Sequence, residues 1–126
     1  MTEEVEVKVG KIRAVVVGTA VVGGLLLTAG PVPAGSVRVK ATDSDSFSPA
    51  TKKVARGTKV VWKNPSGSEH NVTAYSSNWS KSSTIDEGQR TKQVFRKRGT
   101  YKYRCTLHSD MDGRKCDGMC GKIVVK

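Results

Sequence analysis

Beyond residue 35 the sequence has no stretch in which apolar residues recur at i, i+3, i+4 and i+7 for three turns. That excludes a coiled coil and leaves little material for a long helical core. Aromatic residues are scarce at 6%, and there are only two histidines and three cysteines in 126 residues. Acidic residues are also few, 11 against 22 Lys and Arg, which leaves a formal net charge of +11. Only one long apolar run is present, so a polytopic membrane protein is excluded. Enough Val, Ile, Phe, Tyr and Trp remains to bury a core, which argues against full disorder. An excess of positive charge this large suits an anionic partner.

The apolar run is Ala14–Gly30, seventeen positions without a charge, preceded by Lys8, Lys11 and Arg13 and followed by PVPAGS. A basic flank, an apolar stretch and a small-residue exit have the form of a secretory signal, with cleavage expected after Ala34. Glu3, Glu4 and Glu6 neutralise the flank, and seventeen residues reach the lower limit for crossing a bilayer. An uncleaved anchor through residues 14–30 is therefore the alternative. Both readings expect residues 1–34 to be a targeting or anchoring segment, 35–126 to be one domain, and the location to be extracytoplasmic. With three charges of each sign in residues 1–34, the whole +11 belongs to that domain.

From Ser36 onward the pattern changes to period two. SVRVKA alternates Val37 and Val39 with Arg38 and Lys40, and TKVVWKN puts Thr58, Val60 and Trp62 on one face. HNVTAY, KQVF, TYKYRC and GKIVVK follow, separated by Gly57, Asn64-Pro65-Ser66-Gly67, Glu87-Gly88 and Gly99. The spacing predicts an all-β domain of about seven to eight strands, an antiparallel sandwich or Greek-key barrel. Ser76–Thr84 (SSNWSKSST) reads as a long polar loop whose Trp79 packs back onto the domain.

The chemistry-bearing residues are grouped. His70 opens a strand and is followed by Asn71; Cys105 ends TYKYRC with His108 three residues on; Cys116, Met119 and Cys120 precede the last strand. One thiolate, two imidazoles and a thioether in a β domain form the ligand set of a blue-copper electron-transfer site. Alternation puts Cys105 on the inner face with Tyr101 and Tyr103. A second reading takes Cys105, His108, Cys116 and Cys120 as C-x2-H-x7-C-x3-C, four ligands for a structural zinc. With the basic charge, that would make a small nucleic-acid-binding module. It leaves His70-Asn71 unused.

The stretch FSPATKKVARGTKVVWKN…HNV…GTYKYRCTLH…DGMCGKIVV resembles the cupredoxin family, in its plastocyanin, pseudoazurin and halocyanin branch. The resemblance runs from Phe47 to Val125. It implies a Greek-key β-sandwich binding one type 1 copper ion at one end, with His70, Cys105 and His108 as equatorial ligands and Met119 as the axial one. Asn71 would brace the ligand loops and the cysteine sulfur. It further implies a monomeric carrier of single electrons between redox proteins, with no nucleic-acid partner; storage or delivery of copper is the rival role. No nucleophile–base pair points to an enzyme. The sequence departs from the family in separating His108 from Met119 by eleven residues, a longer spacing than the family uses. Met111 is thus a rival axial ligand. If copper holds Cys105 as a thiolate, Cys116 and Cys120 are left to pair, as oxidising surroundings favour. Arg114 and Lys115, in the lengthened segment, are candidate docking charges for an acidic partner face, and His108 is the expected electron port.

Overall fold

The computed structural model describes residues 35–126, so the expectations for the targeting segment and its cleavage lie outside the described residues. Nine strands follow one another: β1 Ser36–Ala41, β2 Phe47–Ser48, β3 Thr51–Val54, β4 Thr58–Lys63, β5 His70–Ala74, β6 Ser82–Ile85, β7 Arg90–Phe95, β8 Gly99–Asp112 and β9 Lys115–Val125. They form a four-stranded sheet ordered β2-β1-β4-β7 and a five-stranded sheet ordered β3-β9-β8-β5-β6. The chain passes repeatedly from one sheet to the other, as a Greek-key sandwich requires. Because of those crossings, β1 runs parallel to β4 and β3 parallel to β9, while the other strand pairs are antiparallel.

Alternation decides which side chains enter. Val39 and Ala41 of β1, Val60 and Trp62 of β4, Tyr101, Tyr103 and Cys105 of β8, and Ile123 and Val125 of β9 form one buried cluster. Arg38, Lys40, Lys102 and Lys122 stand between them on the solvent side. Trp62 and Tyr103 meet edge to face with centroids 5.2 Å apart. Trp79 does return to the domain: it lies 5.3 Å from Phe95 and donates its indole N–H to the Lys102 carbonyl at 3.1 Å. Gly121, opposite Tyr103 in the ladder, is where that ring rests. A Cβ there would lie 2.5 Å from the ring carbon Cζ.

Two features depart from the sequence reading. Ser82–Ile85, taken mostly as loop, is an edge strand paired with His70–Thr73, and only Ile85 of its four residues is buried. The segment between His108 and Met119, taken as a lengthened loop, is itself a β-hairpin. Ser109 to Asp112 pair with Gly118 to Lys115 around a two-residue turn at Gly113-Arg114.

Candidate metal centre

His70 is fully buried at the first position of β5, and Cys105 is fully buried at an inward position of β8. Beyond Cys105 the ladder is interrupted. Arg104 pairs with Cys120, and the next pair is Ser109 with Gly118. Four residues, Cys105 to His108, therefore bulge opposite the single residue Met119. The bulge turns His108 back toward Cys105. Its Nδ1 lies 3.5 Å from the cysteine Sγ and 3.3 Å from His70 Nδ1, and His70 Nδ1 lies 3.9 Å from the same sulfur.

All three donor atoms fall within 4.8 Å of one another. Donors at trigonal angles around one ion, about 2.0 Å away for nitrogen and 2.3 Å for sulfur, would be about 3.5–3.7 Å apart. The observed separations fit a single ion bound by one thiolate and two imidazoles, a donor set of the soft-plus-borderline kind that suits copper.

The surroundings set the state of each donor. His70 Nε2 is 3.1 Å from the Thr42 carbonyl, an acceptor, so it carries the proton and Nδ1 is left with a lone pair. Burial holds the His70 pKa below the ordinary 6.5, and the like charge of His108 adds to this, so the ring is neutral and able to ligate near pH 7. His108 Nε2 faces the carboxylate of Asp45 at 3.6 Å, whose negative charge favours the same tautomer on the more exposed ligand. Thr42 and Asp45 belong to one turn, tied by Thr42–Ser46 and Thr42–Ser44 hydroxyl contacts of 2.8 and 3.0 Å. Asp45 adopts φ 54°, a left-handed conformation that Asp tolerates better than most residues.

Asn71 is the link between the two ligand-bearing strands. Its backbone N–H points to Cys105 Sγ at 3.4 Å, its side-chain amide donates to Thr106 Oγ1 at 2.9 Å, and its carbonyl oxygen accepts from the Thr106 N–H at 3.0 Å and the Thr73 hydroxyl at 2.8 Å. Ser109 donates to the Cys105 carbonyl at 2.6 Å and Arg104 holds Ser109 in turn, closing the bulge from its other side. Thr42, Asp45, Arg104 and Ser109 were missed from the sequence. Each is a polar residue in a polar stretch, and only the fold brings it to a ligand.

Met119 is fully buried in the same cluster as Cys105, whereas Met111 is partly exposed and pairs with Cys116 out along the hairpin. Cys116 and Cys120 form a disulfide with their Cα atoms 6.2 Å apart. Four steps along an extended strand would cover about 13 Å, so β9 turns sharply between them. Gly118, at φ 102°, makes the turn, and a Cβ there would be 2.5 Å from the His108 carbonyl oxygen. The disulfide also removes two of the four ligands of the zinc reading.

Fold and donors together define a mononuclear copper protein built on a β-sandwich. Residues 33–126 match the family model "Copper binding proteins, plastocyanin/azurin family", and the chain belongs to that family. Among solved structures, a reduced amicyanin variant matches at 25% identity and TM-score 0.60, covering 72% of this chain and 82% of its own. The Cu(I) form of another amicyanin variant matches at 25% and 0.61, covering 75% and 86%. The purple cupredoxin from Nitrosopumilus maritimus shares the fold at 21% identity and TM-score 0.57, over 71% of this chain and 99% of its own. No curated protein sequence matches.

Proposed function

We propose that this cupredoxin is an exported, non-enzymatic carrier of single electrons between redox proteins, with His70, Cys105, His108 and Met119 as its copper ligands. The observation that carries this reading is the convergence of three donors on one point inside a braced, nearly closed site. Copper held there supplies a one-electron Cu(II)/Cu(I) couple. Soft sulfur favours the reduced ion while imidazole serves both states, so neither state demands a different ligand set. Hydrogen bonds from Asn71 and Ser109, and to the Thr42 carbonyl, keep the donors in place when the charge changes, which lowers the cost of reorganisation.

Met119 would be the fourth residue to hold the ion, because the bulge faces it alone; Met111 lies on the far length of the hairpin. His108 is the port: it is the one partly exposed member of the three, and its neighbour Leu107 is the one large hydrophobic residue exposed among the described residues, at 54%. An apolar contact beside a ligand suits a brief encounter with a partner. Copper delivery would call for a site open to ligand exchange, and two of these donors are fully buried.

Export is supported by the disulfide, which persists in oxidising compartments, and by the apolar run ahead of residue 34. Residues 1–34 would then be the signal or anchor, facing the domain outward. The basic domain favours partners with acidic faces.

The test is the absorption spectrum of the copper-loaded, oxidised protein beside that of Cys105→Ser. The intense visible band of a copper–thiolate bond is expected in the first and absent in the second. A colourless protein, or a coloured Cys105→Ser variant, would overturn the assignment.

A further inference from the structure

The hairpin Ser109–Gly118 adds almost nothing to the core: Asp110, Asp112, Gly113, Arg114, Lys115, Asp117 and Gly118 are all exposed. Yet a disulfide fixes its direction. The sharp turn of β9 brings Arg114 and Lys115 back over the five-stranded sheet, where they wall a cleft of about 340 Å³ with Tyr75, Lys102, Lys122 and the Cys116–Cys120 bridge. A second cleft of about 330 Å³ adjoins it, sharing Tyr75, Lys102 and Arg114 and adding Ser76 and Ser77.

The floor of this cradle is electrostatically costly. Lys102 and Lys122 are directly opposite across the β8–β9 ladder, and like charges so placed destabilise a sheet. The hairpin then brings two more cations to the same place. Among the described residues the one carboxylate paired with these four cations is Asp117, 3.8 Å from Lys115 with both groups largely exposed, where solvent screens the pair. Four cations so gathered, with one screened carboxylate among them, present a concentrated positive surface.

We propose that this basic cradle is a docking site for an acidic segment of a partner protein. Thr51 and Ser77 line it beside the cations, a mixture that suits carboxylates. No exposed large apolar residue lines it for insertion into a lipid surface, the exposed Leu107 being on the ligand bulge, and Tyr75 is its one aromatic residue, where single-strand sites stack successive bases on several. The disulfide holds the cradle open in advance, which reduces the ordering cost of binding. Lys102 is three residues before Cys105, about 10 Å along the strand. A partner with a footprint of about 800 Å² is large enough to reach from the cradle to the Leu107–His108 port.

The identity of the partner as a redox protein rests on the electron-carrier reading; the cradle as an acid-binding surface does not. The probe is a hexaglutamate peptide titrated into the isotope-labelled full chain in its Cu(I) form, and again without copper, followed by amide chemical shifts. Shifts confined to Tyr75, Lys102, Arg114, Lys115 and Lys122 are expected in both forms. Arg114→Glu with Lys115→Glu should weaken binding at least tenfold. The same charge reversal at Lys59 and Lys92, on the other sheet, should weaken it less than twofold. Cys116→Ser with Cys120→Ser should weaken it measurably with no change of charge. Equal losses from the two charge-reversed pairs, or shifts spread over both sheets, would overturn the proposal. Tighter binding at the cradle by phosphatidylglycerol vesicles or an oligothymidylate would also overturn it. A protein that binds the peptide as expected but shows no visible copper band would sink the electron-carrier reading and leave the cradle standing.

Discussion

Strands β8 and β9 make one continuous hairpin with two unlike lengths. From Gly99 to Arg104 and from Cys120 to Val125 it is sandwich: Tyr101, Tyr103, Ile123 and Val125 are buried, and the residues between them are half-buried or exposed. From Ser109 to Gly118 the ladder continues but no side chain is fully buried. The four-residue bulge and Met119 lie between. The same backbone pairing thus serves stability on one side of the metal centre and surface chemistry on the other. Pairing alone does not make a core; what matters is whether a second sheet covers the face.

The largest expected effect breaks that comparison at its core end. Tyr103→Ala should destabilise the protein by about 3–5 kcal/mol in denaturant unfolding, as removal of a buried aromatic does. Met111→Ala, a large side chain on the far length, should cost under about 1 kcal/mol. Comparable losses would mean that the distal hairpin is part of the core. Tyr103→Phe sharpens the point. The phenol is fully buried without a well-formed hydrogen bond, its contact with the Trp62 indole N–H being too poor to satisfy either group, and burial pushes its pKa up to about 12. Removing the hydroxyl should change stability by under about 1 kcal/mol, because the desolvation it relieves offsets the weak contact it gives up.

A smaller effect tests the junction. In the metal-free protein, burial lowers the His70 pKa below the 6.5 of an unfolded chain. The folded state therefore binds its proton less readily than the unfolded state does. Stability from this group is present above pH 6.5 and is lost as pH falls from there through the folded pKa, with a slope of at most about 1.4 kcal/mol per pH unit. Unfolding curves of the metal-free protein between pH 7.5 and 5 should show the loss, and His70→Gln should remove that part of it. Unchanged pH dependence in the variant would place the titration elsewhere.

Much of this was legible in the sequence. Period-two alternation marks the strands that have one dry face, and TKVVWK and TYKYRC announce themselves by it. Ser82–Ile85 does not, because an edge strand with one buried residue has no pattern to show. The order His-Asn, Cys-x-x-His and then Met points to the donors, since the ligand residue types are rare in this chain. The hairpin was hidden because Asp110, Met111 and Asp112 have neither alternation nor β-branched residues. The turn holding Thr42 and Asp45 was hidden for another reason: it reaches the histidines only through the packing of the two sheets.

The two methionines then separate the lengths by function. If Met119 is the fourth ligand as proposed, Met119→Leu should shift the reduction potential while the protein stays coloured, since the identity of a weak thioether ligand tunes the couple. Met111→Leu should leave potential and spectrum unchanged. A shift in the Met111 variant alone would move the axial assignment out along the hairpin.

The smallest effect concerns Asp45, which touches the hairpin at His108 from the other sheet's turn. Its carboxylate lies 3.6 Å from Nε2, with the two side chains 47% and 26% exposed. Such a pair is screened, and exposed pairs contribute about 0.2–1 kcal/mol. A one-electron couple changes by 59 mV for each tenfold change in its equilibrium constant, so Asp45→Asn should move the potential by about 10–40 mV. The sign follows from charge: the carboxylate favours the more positive, oxidised centre, so removing it raises the potential. The shift should shrink as salt is added, because screening lengths fall to about 8 Å at physiological ionic strength. Asp43→Asn, in the same turn but hydrogen-bonded to the Gly67 N–H at 3.2 Å, controls for the loss of a nearby charge and should move the potential less. Equal shifts from both variants would reduce the Asp45–His108 contact to general electrostatics, and a fall in potential would contradict it.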